Sequence, residues 1–318
     1  MAKDKKIRFG VTPGFPATVA EWQDIARKAE DLGYDVLHVA DHLGRQWSPL
    51  LAIEAAAHVT TRLRFGTQVI ANDFRHPVVL AKEVATLDLL TGGRFEPGIG
   101  VGHPPTSPTG RSDYAQLGRE MGSAGERVDR LRESVQIIKA FMHNTELFEY
   151  AGKTFNLSNV VPFPKPVQQP HPPIMIAGAG PRMLRLAARE ADIVNIAPRP
   201  PIKGTTSRGS TGFGLDIHDE LNIMREAAPQ RYDDLELVVY GDRSAITENA
   251  GEEKQKLADD FGISLQMLDE MPHTVIGSVE AIGDKILLDR ERSGISYRIV
   301  LGNQMDAYAP IVRRLAGK

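Results

Sequence analysis

The chain has 318 residues, 42% apolar and 25% charged, the usage of a globular protein with a sizeable core. Lysine and arginine number 38 against 41 aspartates and glutamates, a net charge of −3, which argues against a nucleic-acid partner. There is no cysteine, so disulfides, thiolate metal sites and cysteine nucleophiles are excluded.

Short apolar runs alternate with helical patterns. The opening, MAKDKKIRFG, is charged and lacks a signal-peptide apolar core, and no run of about 18 apolar residues reads as a membrane span. A soluble, cytoplasmic protein with no membrane partner is expected. Residues 7–12 (IRFGVT) read as a strand. A helix follows, with Thr18 and Glu21 spaced as a capping box and Gly33 past its end. DVLHVA is the second strand and residues 49–58 the second helix. LRFGTQVI (63–70) is the third strand; Pro77 opens the third helix and Gly92-Gly93 close it. RFEPGIGVG is a fourth strand running into glycines, followed by a long amphipathic helix over 126–142. PPIMIAGAG is the fifth strand, with a helix from about Pro181. DIVNIA, LELVVYG and YRIVL supply three more strands; residues 279–293 and 306–315 supply the last helices.

Eight such units, with strands apolar on both faces, favour an α/β fold of the (β/α)8 TIM-barrel type, one domain over residues 1–318. A doubly wound sheet with a small second domain is the alternative. Insertions are expected at about 102–125, 147–173 and 197–215. The first and third are long polar loops after strand ends, where a barrel places its active site. In the second, LFEYAGKTFNL alternates around Ala151-Gly152 as a hairpin would.

In a barrel, the end of the second strand faces the catalytic mouth, and Asp41-His42 stand there. His103 ends the fourth strand in the same way. Together they could form an acid/base set, since imidazole titrates near neutrality. A loop-capping Asp41 and solvated histidines are the plainer reading. GIGVG (Gly98, Gly100, Gly102) lacks the GxGxxG context, because Pro104 and Pro105 follow instead of a helix. Close approach of a flat ring would also select those glycines. AGAGPRM (177–183) joins a strand to a helix start, with Gly178, Gly180 and Arg182 suited to an anion, or simply to a tight turn. His38, His76 and His103 share no metal-ligand spacing, so no metal is expected, and His38 reads as a hydrogen-bonded core histidine.

With these residues located, the sequence resembles the luciferase-like flavin and deazaflavin oxidoreductases along nearly its whole length. The resemblance rests on ADHLG, FGTQVIANDFRHPVVLAKEVATLDLLTGGRFEPGIGVG and IMIAGAGPRML. It is strongest to the deazaflavin (coenzyme F420) branch, with FMN as the alternative cofactor. The resemblance implies a barrel carrying the ring over its C-terminal mouth. It implies third-strand backbone contacts at Thr67, Gln68 and Val69 with a non-prolyl cis peptide between the last two, and further contacts at Asn72, Gly100, Val101 and Gly102. Ala177, Gly178, Ala179 and Gly180, followed by Arg182, would hold the cofactor phosphate. Asp41 and His42 match the family's Asp-His pair, with His42 oriented by Asp41 as the proton-transfer group. His103 stands where the sugar-phosphate dehydrogenases of the family carry Glu, which weakens sugar-phosphate oxidation and leaves ene or carbonyl reduction open. Lys203 and Arg208, in a lid over 197–215, would meet an anionic cofactor tail. The implied reaction is hydride transfer to or from a small organic substrate. An FMN-dependent monooxygenase and a non-catalytic flavin-binding barrel are the alternatives, and a homodimer is expected.

Overall fold

A computed structural model describes residues 5–197, 217–241 and 243–318. The first part of the chain forms β1 (Arg8–Thr12), α1 (Val19–Asp31), β2 (Val36–Val39), α2 (Pro49–Ala57), β3 (Arg64–Thr67), β4 (Ile70–Ala71) and α3 (Pro77–Leu90). Then come β5 (Phe95–Glu96), β6 (Gly98–Gly100), α4 (Pro108–Leu117), α5 (Ala124–His143), β7 (Phe148–Ala151) and β8 (Asn156–Val160). They are followed by β9 (Met175–Gly178), α6 (Pro181–Glu190), β10 (Ile193–Ile196), α7 (Ile217–Ala227) and β11 (Glu236–Gly241). The last part is β12 (Arg243–Ile246), α8 (Ala250–Phe261), α9 (Leu265–Glu270), β13 (Thr274–Gly277), α10 (Val279–Ser293), β14 (Ile295–Leu301) and α11 (Met305–Leu315).

The main sheet is parallel and curled, with ten strands in the order β4-β6-β9-β10-β11-β14-β1-β2-β3-β5. Its two end strands, β4 and β5, are chain neighbours of β3 and β6. The third and fourth expected strands are therefore each broken in two. One break falls at the cis peptide Gln68-Val69, where the resemblance put it; the other falls at Pro97, which has no N–H for the ladder. β7 and β8 form the expected antiparallel hairpin. β12 and β13 make a small parallel sheet that sequence reading missed.

Two expectations need correction. Residues 102–125 are not simply a loop, because they contain α4. Ser107 caps it by accepting from Gly110 N–H, Pro108 occupies its first turn, and Gly118 ends it at φ 60°. α5 also starts earlier than expected, at Ala124, under a capping box of Ser123 and Glu126. Of the insertion at 197–215, Lys203 and Arg208 lie outside the described residues.

Alternate strand residues point to opposite faces of the sheet. One face, with Phe9, Val11, Leu37, Phe65 and Val194, packs under the helices in the large core. The other face carries a smaller core of Val36, Met175, Ile193, Val238, Tyr297 and Ile299. His38 is fully buried on that side and hydrogen-bonds Tyr297 through Nε2, as a core histidine should. Burial moves its pKa down to about 4. At the strands' N-terminal ends the same face is filled by charge. Arg8 donates to Glu96 at 2.6 Å and to Glu236 at 2.7 Å, and Arg64 donates to Glu96 as well. Burial would raise the Glu96 carboxyl, but Arg8 and Arg64 outweigh it and hold it below its ordinary value. Among the described residues no helix is long and apolar enough to cross a membrane.

Candidate active site

At the opposite, C-terminal ends of the strands lies a cavity of about 440 Å³. That is the size of a small-molecule site. Much of its wall comes from strand ends: Asp41 and His42 after β2, Gln68 and Val69 between β3 and β4, Gly100 to His103 at the end of β6, and Ala177 to Arg182 at the end of β9. Asn195 and Tyr240, from β10 and β11, and Asp113, Tyr114 and Arg127, from α4 and α5, complete it.

Asp41 and His42 are neighbours in sequence but not partners. The buried Asp41 carboxylate accepts from Arg75 Nη1 at 2.6 Å and from the Ala71 N–H at 3.2 Å. Consecutive residues of an extended segment point apart. The His42 side chain turns the other way, and its Nδ1 lies 3.2 Å from Asp113 Oδ2 on α4. No hydrogen bond joins Asp41 to His42; the carboxylate at the His42 ring is that of Asp113, which sequence reading missed. The His103 ring is close as expected, its centroid 4.9 Å from that of His42.

Helix α4 is held in place from several sides. A Cβ on Gly110 would fall 2.9 Å from both His103 Cβ and Pro104 O, so only glycine allows this approach. Tyr114 Oη donates to Asp73 Oδ2 at 2.6 Å. Arg130 donates to both Asp73 oxygens, with its Nε 2.9 Å from Oδ1, and Arg119 donates to the Asp73 carbonyl at 2.9 Å. Burial pushes the Asp73 carboxyl up, but the hydrogen bonds from Arg130 and Tyr114 prevail and leave it below its ordinary value. Burial, then the bond to Asp73, pushes the Tyr114 hydroxyl up to about 12. The buried Arg127 donates from Nη1 to the carbonyls of Val101, at 3.1 Å, and His103, at 2.8 Å, fixing the loop after β6.

Most of the other expected ligand contacts do line the cavity. Gln68, Val69, Gly100, Val101 and Gly102 form one ledge, and Ala177, Gly178, Ala179, Gly180 and Arg182 another. Gly180 is the N-cap of α6 at φ 86°, a conformation that favours glycine, and no side chain caps the helix there. The first N–H groups of α6 therefore lack a side-chain acceptor and suit an anion. Arg182 is exposed and donates to Asp129 Oδ1 at 2.7 Å.

Two of the expected contact residues, Thr67 and Asn72, are not on the cavity lining. Thr67 is buried and spends its hydroxyl on both the N–H and the C=O of Gly98, each at 2.8 Å, joining the two broken strands. Asn72 is buried behind the wall, with its Nδ2 directed at Asp73 Oδ1. His76 caps α3, its Nδ1 accepting from the Val78 N–H. Among the described residues no three His, Asp or Glu side chains are grouped as metal ligands.

The profile of the family described as luciferase-like monooxygenase matches residues 6–208. An F420-dependent glucose-6-phosphate dehydrogenase of Amycolatopsis mediterranei is 26% identical over 277 residues, covering 84% of this chain and 77% of that protein. The oxygenase component of a flavin-dependent trigonelline monooxygenase of Acinetobacter baylyi is 31% identical over 153 residues, 48% of this chain and 39% of that one. The chain spans about half the length of several other curated relatives it matches. The solved structure of a coenzyme F420 dependent tetrahydromethanopterin reductase from Methanopyrus kandleri superposes with a TM-score of 0.73 at 18% identity, covering 98% of this chain and 99% of that one. The fold is thus that of these proteins, and, with its profile matched over more than half the length, the chain belongs to the luciferase-like monooxygenase family.

Proposed function

We propose that this chain is an oxidoreductase of the deazaflavin-dependent branch, using coenzyme F420 to move a hydride to or from a small organic substrate. The observation that carries the reading is the one cavity lined together by His42, the Val69–Gly100 ledge and the uncapped start of α6. The residues fit such a cofactor. The ledge is backbone and small side chains, which a flat ring can approach closely. The α6 start, with Arg182 beside it, offers N–H groups and positive charge to an anionic tail. The buried Gln68 Oε1 and Asn195 Oδ1 lack partners, so two polar atoms around the cavity remain to be satisfied.

When bound, a deazaflavin supplies two-electron hydride chemistry, whereas a flavin also reacts with oxygen. The chain's own work is to bind, orient and handle the proton. His42, at the cavity edge and partly exposed, holds or takes that proton. His103 stands beside it, and Arg127 fixes the loop that carries His103. The reading includes closure of the curled sheet into a (β/α)8 barrel forming one domain, supported by the continuity of its end strands with β3 and β6. It also includes a homodimer, supported by the exposed Leu51 on α2 and Val79 and Leu90 on α3, and testable by sedimentation.

The similarity to the trigonelline monooxygenase favours a second reading, an FMN-dependent monooxygenase. Titration of the apoprotein with F420 and with FMN, followed by fluorescence quenching, separates the two. Saturable micromolar binding of F420 with weaker FMN binding is the expected result. The reverse order would replace the first reading with the second, and no binding of either would end both.

A further inference from the structure

If His42 handles the proton, something must fix its ring, and Asp41 is committed to Arg75 and Ala71. Asp113 is 4% exposed, and its two oxygens meet two different groups. Oδ1 accepts from the Leu43 N–H at 3.0 Å, and Oδ2 faces His42 Nδ1 at 3.2 Å. Among the described residues His42 is the one basic side chain in ion-pair contact with it. A buried carboxylate needs such a partner. The helix that carries Asp113 is seated by Gly110 and tied through Tyr114 to Asp73 and Arg130, so the carboxylate is delivered to a fixed place.

We infer that Asp113 is the positioning residue of His42: it accepts a hydrogen bond from Nδ1–H, selects that tautomer and leaves Nε2 for the substrate's proton. The inference rests on the reading of His42 as the proton-transfer group. The chemistry demands a carboxylate. A neutral imidazole carries its proton on one nitrogen only, and an acceptor at Nδ1 keeps it there. Asp113 must accept from Leu43 and from His42 together. Asparagine has one oxygen. With that oxygen given to the Leu43 N–H, its NH2 faces Nδ1 and imposes the opposite tautomer, the way an Asp-to-Asn change acts in a Ser-His-Asp triad.

The test is nitrogen NMR of the full apoprotein carrying 15N-labelled histidine, at a pH of about 8.5, where imidazole is neutral. His42→Gln identifies the signal among the nine histidines. The wild-type His42 ring is expected mainly as the Nδ1–H form, and Asp113→Asn is expected to reverse the ratio while F420 affinity stays within about threefold. Turnover of Asp113→Asn with whichever cofactor binds should fall about 100-fold with little change in KM. A wild-type ring mainly in the Nε2–H form, or the same ratio in both proteins, would overturn the inference. The wild-type spectrum decides even if the variant does not fold. Failure to bind either cofactor would remove the functional reading but leave the tautomer result standing.

Discussion

The two ends of the parallel strands handle buried charge in opposite ways. At the N-terminal end, Glu96 sits between Arg8 and Arg64, and Arg8 also reaches Glu236. Arg8, Arg64, Glu96 and Glu236 each have a guanidinium or carboxylate partner there, and the end is filled. At the C-terminal end, Asp113 meets an imidazole and a backbone N–H, and its neighbours line open space. An arginine stays protonated at any physiological pH, whereas a histidine can gain or lose a proton. One end therefore holds a fixed charge state, whereas the other adds to its fixed Asp41–Arg75 pair a carboxylate–imidazole contact that can change state.

The largest effect should come from the open end. His42→Ala is expected to lower turnover by 10² to 10⁴-fold, roughly the contribution of a general acid or base, while cofactor affinity stays nearly constant. Steady-state kinetics beside a binding titration check it, and unchanged turnover would remove His42 from the mechanism. Next, Glu96→Gln should strip Arg8 and Arg64 of a shared carboxylate and cost about 3–5 kcal/mol in urea unfolding, as breaking a buried ion pair does. F420 binding by the folded fraction should not move. A cofactor affinity that falls with Glu96→Gln would mean that the two ends are not separate.

A smaller effect lies between the ends. Burial pulls His38 and His273 to about 4 from an ordinary value of 6.5. Their folded pKa is depressed, so the unfolded chain binds more protons between those values. The neutral rings contribute stability that is present above pH 6.5 and lost as pH falls toward 4. Each adds a slope of up to about 1.4 kcal/mol per pH unit. Unfolding measured across that range should show the slope, and His38→Gln should make it shallower.

Much of this was legible in the sequence. The alternation of apolar runs and helical patterns placed the parallel strands, and Pro77, Thr18 and Glu21 marked helix starts that the structure keeps. The glycine-rich turn at 177–180 and the cis peptide at Gln68-Val69 came from motif and family likeness, and both line the cavity. What stayed hidden was long-range. Asp113 lies 71 residues from His42 and carries no local mark of its role. Asp41 misled because adjacency along an extended chain is not adjacency of side chains. α4 had its cap, its first-turn proline and its terminal glycine in view, yet its Ser, Thr, Gly and Pro content resembled a loop. Thr67 and Asn72 were expected at the ring from family likeness alone; both side chains are buried and neither is on the cavity lining.

The central claim is that the open end receives a flat redox cofactor whose anionic tail meets the start of α6. It is tested most directly by titrating F420 into the wild-type apoprotein and into Ala179→Asp, which sets a carboxylate at that helix start. The account predicts saturable binding to the wild type and at least tenfold weaker binding to a variant that melts at the same temperature. Equal affinity in the two proteins would contradict it.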